Sequence, residues 1–187
     1  MFHLILLWKI IIFILFIPLI IRQYKLRRSA EFLIYFIGFI AYSIEAFGIL
    51  FFPIIWSIPV TTHGPMINTI PFHTISEMLS TQKLSVSVKQ IVGNVAIFVP
   101  LGGLAPMLFK KMNNLLRILM LGIAVSGTVE VVQFVIDAVT RYPNRAADID
   151  DVLLNIVGVL IGFIIQKNWK KISRKFLYTE DVKDGGA

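Results

Sequence analysis

Five long apolar runs constrain this chain more than any other feature of its sequence. They are residues 4–21, 32–52, 92–109, 115–136 and 152–166, and the last can start within 148–151. About 20 predominantly apolar residues in a helix cross the hydrocarbon core of a bilayer. The whole chain is 57% hydrophobic and only 16% charged, whereas soluble domains carry about 25% charged residues. The sequence therefore predicts an all-α membrane protein with five transmembrane helices.

The positions of the basic residues predict how these helices are oriented. Twelve of the 18 Lys and Arg residues follow run one, separate runs three and four, or follow run five, and a thirteenth, Arg117, lies at the start of run four. Because cytoplasmic loops carry an excess of Lys and Arg, we expect the N-terminus outside and the C-terminus in the cytoplasm. A long extracellular loop then joins helices 2 and 3. Membrane flanks account for the net charge of +7, so no nucleic acid partner is expected.

Hydropathy divides the chain into three parts. Residues 1–31 hold the first helix and a basic loop, residues 32–166 hold a membrane domain of helices 2–5, and residues 167–187 form a basic cytoplasmic tail that ends in a stretch expected to be disordered. The first run lacks the preceding positive charge and the small-residue cleavage site of a signal peptide, so it is expected to stay as a helix. Residues 74–84 of the long loop predict a short amphipathic helix on the outer surface.

Two features of the apolar runs predict unusual helix geometry or packing. Pro100 and Pro106, with a glycine pair between them, predict a kinked or broken third helix. Gly158 and Gly162 form a G-x-x-x-G pattern, which permits close packing on a neighbouring helix. A homo-oligomer formed through this pair remains open.

Polar side chains within the runs collect toward the predicted outer ends. A charge at the bilayer centre costs ~2.5–3.5 kcal/mol on insertion scales, so such groups usually face a protein interior or a wet cavity. Residues three, four or seven apart share a helix face, which groups the polar residues on either side of the loop at 137–145. We therefore expect one polar site, open to the outer face. Its predicted members are Glu45, Asn94, Glu130, Gln133, Arg145, Asp148, Asp151 and Asn155.

The chemistry of this site leaves alternatives open. Glu45 either pairs with Lys9 at a similar depth or belongs to a functional site. Arg145 either neutralises the acids or binds an anionic headgroup through its fork of donors. A network of satisfied salt bridges would explain the same residues without any ligand.

Metal and cofactor chemistry has little support in the sequence. Asp148, Asp150 and Asp151, with Glu130, offer oxygen ligands for Mg²⁺ or Ca²⁺, but their spacing is not diagnostic, and neither a metal nor a cofactor is predicted. The chain has no cysteine, which excludes disulfides, thiolate metal sites and thiol nucleophiles.

Four segments together resemble the VanZ-like family of bacterial membrane proteins. They read P-F-H-T-I, N-V-A-I-F-V-P-L-G-G-L-A-P, E-V-V-Q and R-A-A-D-I-D-D-V-L-L-N-I-V-G-V-L-I-G, between residues 68 and 165. The resemblance implies a multi-pass protein of the bacterial plasma membrane. It also implies a link to resistance against teicoplanin and related lipoglycopeptides, with which the family's namesake is associated. The matching motif positions are Asn94, Pro100, Gly102, Glu130, Gln133, Arg145, Asp148, Asp151, Asn155 and Gly158.

Three hypotheses for function follow. The first is a non-enzymatic envelope protein that contacts membrane lipids and binds an anionic or lipid-linked ligand, either a cell-wall precursor or the lipoglycopeptide. The second is an enzyme that modifies envelope lipids, with Glu130 as base and Asp148 and Asp151 holding a metal or orienting a partner. The chain lacks the hydrolase pattern G-x-S-x-G and the zinc pattern H-E-x-x-H, which weighs against the enzyme. The third is a small transporter or an oligomer subunit, although no inverted repeat is visible.

Overall fold

The computed structural model describes residues 2–54, 67–81, 83–141 and 147–184, and the side chains of residues 9–54, 67–81, 83–141, 147–169 and 171. Helices dominate these ranges, and two very short strands accompany them. The elements are α1 (Phe2–Lys25), α2 (Ala30–Phe51), β1 (Ile67–Asn68), α3 (His73–Thr81), α4 (Leu84–Leu108), a 3₁₀ turn (Lys110–Met112), α5 (Leu115–Thr140), β2 (Ala147–Asp148) and α6 (Ile149–Asp184).

Four helices in the described ranges are long and apolar enough to cross a membrane. They are Ala30–Phe51, Leu84–Leu108, Leu115–Thr140 and the part of α6 from Ile149 to Trp169. This confirms an all-α protein with several candidate membrane spans. α1 is also helical, over Phe2–Lys25, but a fifth span and the orientation of the helices stay predictions.

α4 differs from the predicted third helix at its start and at its prolines. It begins at Leu84, about two turns before the apolar run, so the loop after α2 is shorter than expected. α4 also continues through Pro100 and Pro106, so the predicted break is wrong, while a kink stays a prediction. Each proline removes one backbone hydrogen bond and leaves a carbonyl without its helical donor. Within a membrane, groups on neighbouring helices can satisfy such a carbonyl.

Two further helices extend beyond their predicted ends. α5 reaches Thr140 and closes at Arg141, which adopts a left-handed φ of 52°, so Asp137 lies inside the helix and is 4% exposed rather than in an exposed turn. α6 continues to Asp184, so the expectation of a disordered end is wrong up to that residue. Gly185 and Gly186 are the first strong helix breakers in the tail.

Helices α4 and α6 pack backbone against backbone. A Cβ added to Gly158 would lie 2.1 Å from the carbonyl oxygen of Val95, and one added to Gly162 would lie 1.9 Å from that of Val99. Gly158 faces Val95, and four residues later Gly162 faces Val99. The contact therefore advances in the same direction along both helices, so the two helices run parallel. The face that carries Gly158 and Gly162 is therefore covered within the chain, by α4, as close small-residue packing requires.

The apolar core continues from this contact toward α5 and α2. Its most buried side chains are Phe98, Leu101 and Ala105 on α4, Ile118 on α5, and Val159 and Phe163 on α6. On α6 the buried polar residue Asn155 lies one turn before Val159, toward the end of the bundle that is predicted to face outside.

A small parallel sheet joins the segment before α3 to the start of α6. β1 pairs with β2 through the partners Ile67 with Ala147 and Asn68 with Asp148. α3, at His73–Thr81, confirms the short helix predicted for residues 74–84. Met78 is its buried residue, and the Met78 carbonyl accepts a 2.8 Å hydrogen bond from the Ser87 hydroxyl of α4. The α3 segment is therefore held on the bundle at both ends.

Candidate functional site

Glu130 connects α5 to the start of α6. Its Oε2 atom accepts a 2.8 Å hydrogen bond from the backbone N–H of Asp148. Asp148 directly precedes α6, and its Oδ1 atom accepts from the N–H of Asp150 at 2.9 Å, which is the bonding of a helix N-cap. Glu130 is 8% exposed, so this carboxylate lies inside the bundle. Sequence reasoning placed both acids in the site, and the structure brings them into direct contact.

Asn68 connects the segment before α3 to the carboxylate of Asp148. Its amide Nδ2 donates to Asp148 Oδ1 at 2.9 Å and to Thr74 Oγ1 at 2.8 Å. Its Oδ1 atom accepts from the N–H of Ile70 at 3.1 Å, which closes a side-chain turn of the kind asparagine favours. Asn68 is absent from the predicted site. The signal that could have found it is the turn sequence N-T-I-P.

Asp150 caps α3 from another helix. Its Oδ1 atom accepts from the N–H of Phe72 at 2.5 Å, and its Oδ2 atom accepts from the N–H of Ile75 at 3.1 Å. These N–H groups lie at the start of α3, where helices leave donors without internal partners. Phe72 adopts a left-handed φ of 64°, which turns the chain into the helix. Asp150 is fully buried, so it is a structural acceptor that the predicted site omitted.

Two side-chain pairs continue the polar contacts along α6. Asn94 of α4 donates from Nδ2 to Oδ1 of Asp151. One turn further in, Asn155 donates from Nδ2 to the hydroxyl of Ser126 on α5 at 2.9 Å. α6 is thus hydrogen-bonded to α4 and to α5, and both bonds lie on the N-terminal side of the glycine contact. Of these four residues, only Ser126 was missed, and its signal is the spacing of four from Glu130.

A buried polar stripe runs along α5 and reaches α2. Its members follow the 3.6-residue period of one helix face: Ser126, Glu130, Gln133, Asp137 and Thr140. Gln133 donates from Nε2 to the backbone carbonyl of Leu50 at 3.0 Å. Leu50 is in the last turn of α2, so this bond joins that helix to the polar end of the bundle.

Glu45 lies apart from these contacts. Its Oε2 atom is 2.5 Å from Nζ of Lys9 on α1, and its side chain is 57% exposed. Its neighbours Ile44 and Ala46 face the protein interior. The structure therefore forms the ion pair that one alternative proposed, and it does not join Glu45 to the buried acids of α5 and α6.

The predicted role of Arg145 falls outside the described residues. The described chain resumes two residues later, at Ala147 in β2. Within the described ranges, no three carboxylate or histidine side chains come together as a cation site. The carboxylates of Glu130, Asp148 and Asp150 instead accept hydrogen bonds from backbone or amide N–H groups.

The helices and their polar contacts define a class of protein. This is a multi-pass helical membrane protein in which buried carboxylates at one end of the bundle hold the α3 segment. The sequence model of the VanZ/LLP1 family matches residues 39–170, a range that includes every described contact of the polar end. The chain belongs to this family.

The chain is also similar in sequence to a curated protein. The chain is 25% identical over 131 residues to Protein VanZ of Enterococcus faecium. The matched stretch covers 67% of this chain and 77% of that protein. No solved structure matches the chain.

Proposed function

We propose that this VanZ-like protein acts in the cell envelope and lowers susceptibility to lipoglycopeptides of the teicoplanin type. It does so by binding a lipid-linked or anionic ligand at its polar, outer-leaflet end. The observation that carries the proposal is the Glu130–Asp148 contact, which fixes β2 on the bundle. β2 begins at Ala147, two residues after Arg145 in the sequence, and in this proposal Arg145 supplies the cation that receives the anionic group of the ligand.

An apolar surface beside this end suits the lipid part of such a ligand. Ile67, Ile70 and Phe72 are 59%, 62% and 65% exposed and belong to the segment that Asn68 and Asp150 hold in place. Exposed apolar residues grouped near polar ones are typical of sites for lipids or partners. The ligand would lay its chain or tail on this surface and direct its anionic group toward Arg145.

The bonding of the acids favours this binding function over the enzyme alternative. A general base must reach the proton that it abstracts, whereas Glu130, Asp148 and Asp150 are 8%, 7% and 0% exposed and already accept internal hydrogen bonds. Carboxylates in this situation stabilise backbone turns. The enzyme alternative therefore stays a prediction from the sequence, and the structure supplies no observation in its favour.

Antibiotic susceptibility and direct binding test the proposal together. Expression in a susceptible host should raise the inhibitory concentration of teicoplanin more than that of a glycopeptide without a lipid tail. Purified protein should bind a polyprenyl phosphate or teicoplanin, and Arg145→Gln should weaken that binding by about tenfold or more, since a charge-assisted hydrogen bond contributes ~1.5–3 kcal/mol.

Arg141→Gln is the matched control, because Arg141 is an exposed cation at the start of the same loop. It should keep both binding and resistance, and Arg145→Lys should restore only part of each, because lysine lacks the guanidinium fork. Unchanged susceptibility on expression, or equal binding by wild type and Arg145→Gln, would overturn the proposal.

A further inference from the structure

A basic cleft lies at the other end of the bundle, where the α1–α2 turn meets the end of α4. It has a volume of about 480 Å³, and Arg27, Arg28, Glu31 and Lys110 supply its charged groups. Three cations and one carboxylate leave the cleft with a formal charge of +2. Among the described side chains, no salt bridge joins any of these three cations to an acid. The positive charge of the cleft is therefore available to an anion.

Local contacts position the guanidinium of Arg28 and the backbone of Arg27. The guanidinium carbon of Arg28 lies 5.2 Å from the centre of the Phe32 ring, a cation–π arrangement that leaves the N–H edges for another partner. Arg27 adopts a left-handed φ of 51°, and its backbone N–H donates to the Tyr24 carbonyl at 2.9 Å. Ser29 caps α2 by accepting from the N–H of Phe32 at 3.2 Å. The start of α2, which carries partial positive charge, thus faces the same cleft.

The depth of the cleft matches that of a lipid headgroup. Glu31 lines the cleft, and Leu50 bonds to the polar end through Gln133. They are 50 − 31 = 19 residues apart on α2, or about 29 Å at 1.5 Å per residue. The hydrocarbon core of a bilayer is about 30 Å thick. The two ends of α2 therefore lie at the headgroup layers on opposite sides of the bilayer.

The apolar and acidic residues that line the cleft indicate the chemical class of its ligand. Phe32 and Met107 give the cleft an apolar wall, which suits the glycerol and first methylenes of a lipid and is of no use to a free phosphate ion. Glu31 accepts a 3.1 Å hydrogen bond from the Tyr35 hydroxyl. This carboxylate repels a second negative charge but can accept from a hydroxyl group. We propose that the cleft binds an anionic phosphodiester lipid with a hydroxyl-bearing headgroup, as in phosphatidylglycerol, on the face predicted to be cytoplasmic.

Lipid retention by purified protein tests this proposal. Native mass spectrometry from detergent micelles would compare bound phosphatidylglycerol and phosphatidylcholine for wild type and for Arg27→Gln/Lys110→Gln. The matched control is Lys25→Gln/Lys111→Gln, which removes the same charge from neighbouring exposed positions that do not line the cleft. Inorganic phosphate is added in a separate arm as a competitor.

We expect the cleft variant to lose phosphatidylglycerol affinity by about tenfold or more, since two charge-assisted contacts are removed. The control variant and the phosphatidylcholine signal should stay near wild type, and the charge-conserving Arg27→Lys/Lys110→Arg should restore most of the binding. Equal losses in the cleft and control variants, or no preference for phosphatidylglycerol in wild type, would overturn the proposal. Displacement of the lipid by millimolar phosphate would overturn it in favour of a free-anion site.

Discussion

The carboxylate of Glu130 accepts the backbone N–H of Asp148 at 2.8 Å, across 18 residues of sequence. This contact holds the second half of α5 to the start of α6. Because Asp148 also receives the Asn68 amide, the same two acids connect three parts of the chain that are distant in sequence. The acids at this end of the bundle therefore stabilise the fold itself, independently of any ligand.

Replacing Glu130 tests the strength of this contact. Glu130→Leu should lower the free energy of unfolding by about 1–3 kcal/mol, because it leaves the buried N–H of Asp148 without its acceptor. Glu130→Gln keeps an acceptor oxygen and should cost less. Thermal unfolding in detergent, with Val131→Leu on the exposed face of α5 as control, would measure both. Equal midpoints for Glu130→Leu and wild type would contradict this prediction.

The glycines between α4 and α6 should tolerate no side chain. Gly162→Ala places its Cβ atom 1.9 Å from the Val99 carbonyl oxygen, so the helices must separate, at a cost at the upper end of the ~1–3 kcal/mol typical of overpacking. Gly127→Ala on α5 is the matched control, since no atom lies within 4 Å of its added Cβ. Alanine there should be neutral or stabilise by up to about 1 kcal/mol. Similar unfolding midpoints for both variants would argue against the close contact.

The ion pair between Lys9 and Glu45 should show energetic coupling. Lys9→Met leaves the Glu45 carboxylate without its 2.5 Å partner on a helix that is predicted to lie in lipid. The double variant Lys9→Met/Glu45→Leu should therefore be more stable than Lys9→Met alone. A double-mutant cycle on unfolding midpoints should return a coupling of about 1 kcal/mol or more. Additive single effects would mean that the two side chains do not interact in the membrane.

The absence of cysteine makes the predicted orientation simple to test. Ser76 on α3 and Asn113 between α4 and α5 are both exposed, and the wild-type chain supplies a label-free background. Ser76→Cys should react with a membrane-impermeant maleimide in intact cells, and Asn113→Cys should react only after permeabilisation. The reverse pattern would invert the topology and move the polar end to the cytoplasm.

Hydropathy and helical periodicity predicted the parts of the structure that depend on local sequence. The four apolar helices, the short α3 helix and the shared face of Glu130 and Gln133 all follow from side-chain polarity and spacing. The start of α4 at Leu84 does not, because S-V-S-V-K-Q is helical but polar. Hydropathy marks where a helix can meet lipid, not where it begins.

The partners of the polar groups could not be predicted in the same way. Asp150 accepts from backbone N–H groups 75 and 78 residues away, and a sequence displays side chains but not backbone donors. Glu45 was placed at the correct depth for Lys9, yet it was also assigned to the polar site. Depth along a helix does not specify direction around it, and Glu45 is exposed while Ile44 is buried.

The central claim is that buried acids at the start of α6 hold the α3 segment on the bundle, and hydrogen exchange at α3 tests it most directly. Asp150→Ala removes the acceptor of the Phe72 and Ile75 N–H groups. Glu77→Ala, on the exposed face of α3, is the matched control. We predict that Asp150→Ala speeds exchange across residues 72–81 by about tenfold or more, since a hydrogen bond to a charged group contributes ~1.5–3 kcal/mol, while Glu77→Ala leaves it unchanged. Wild-type exchange rates at α3 in Asp150→Ala would contradict the claim.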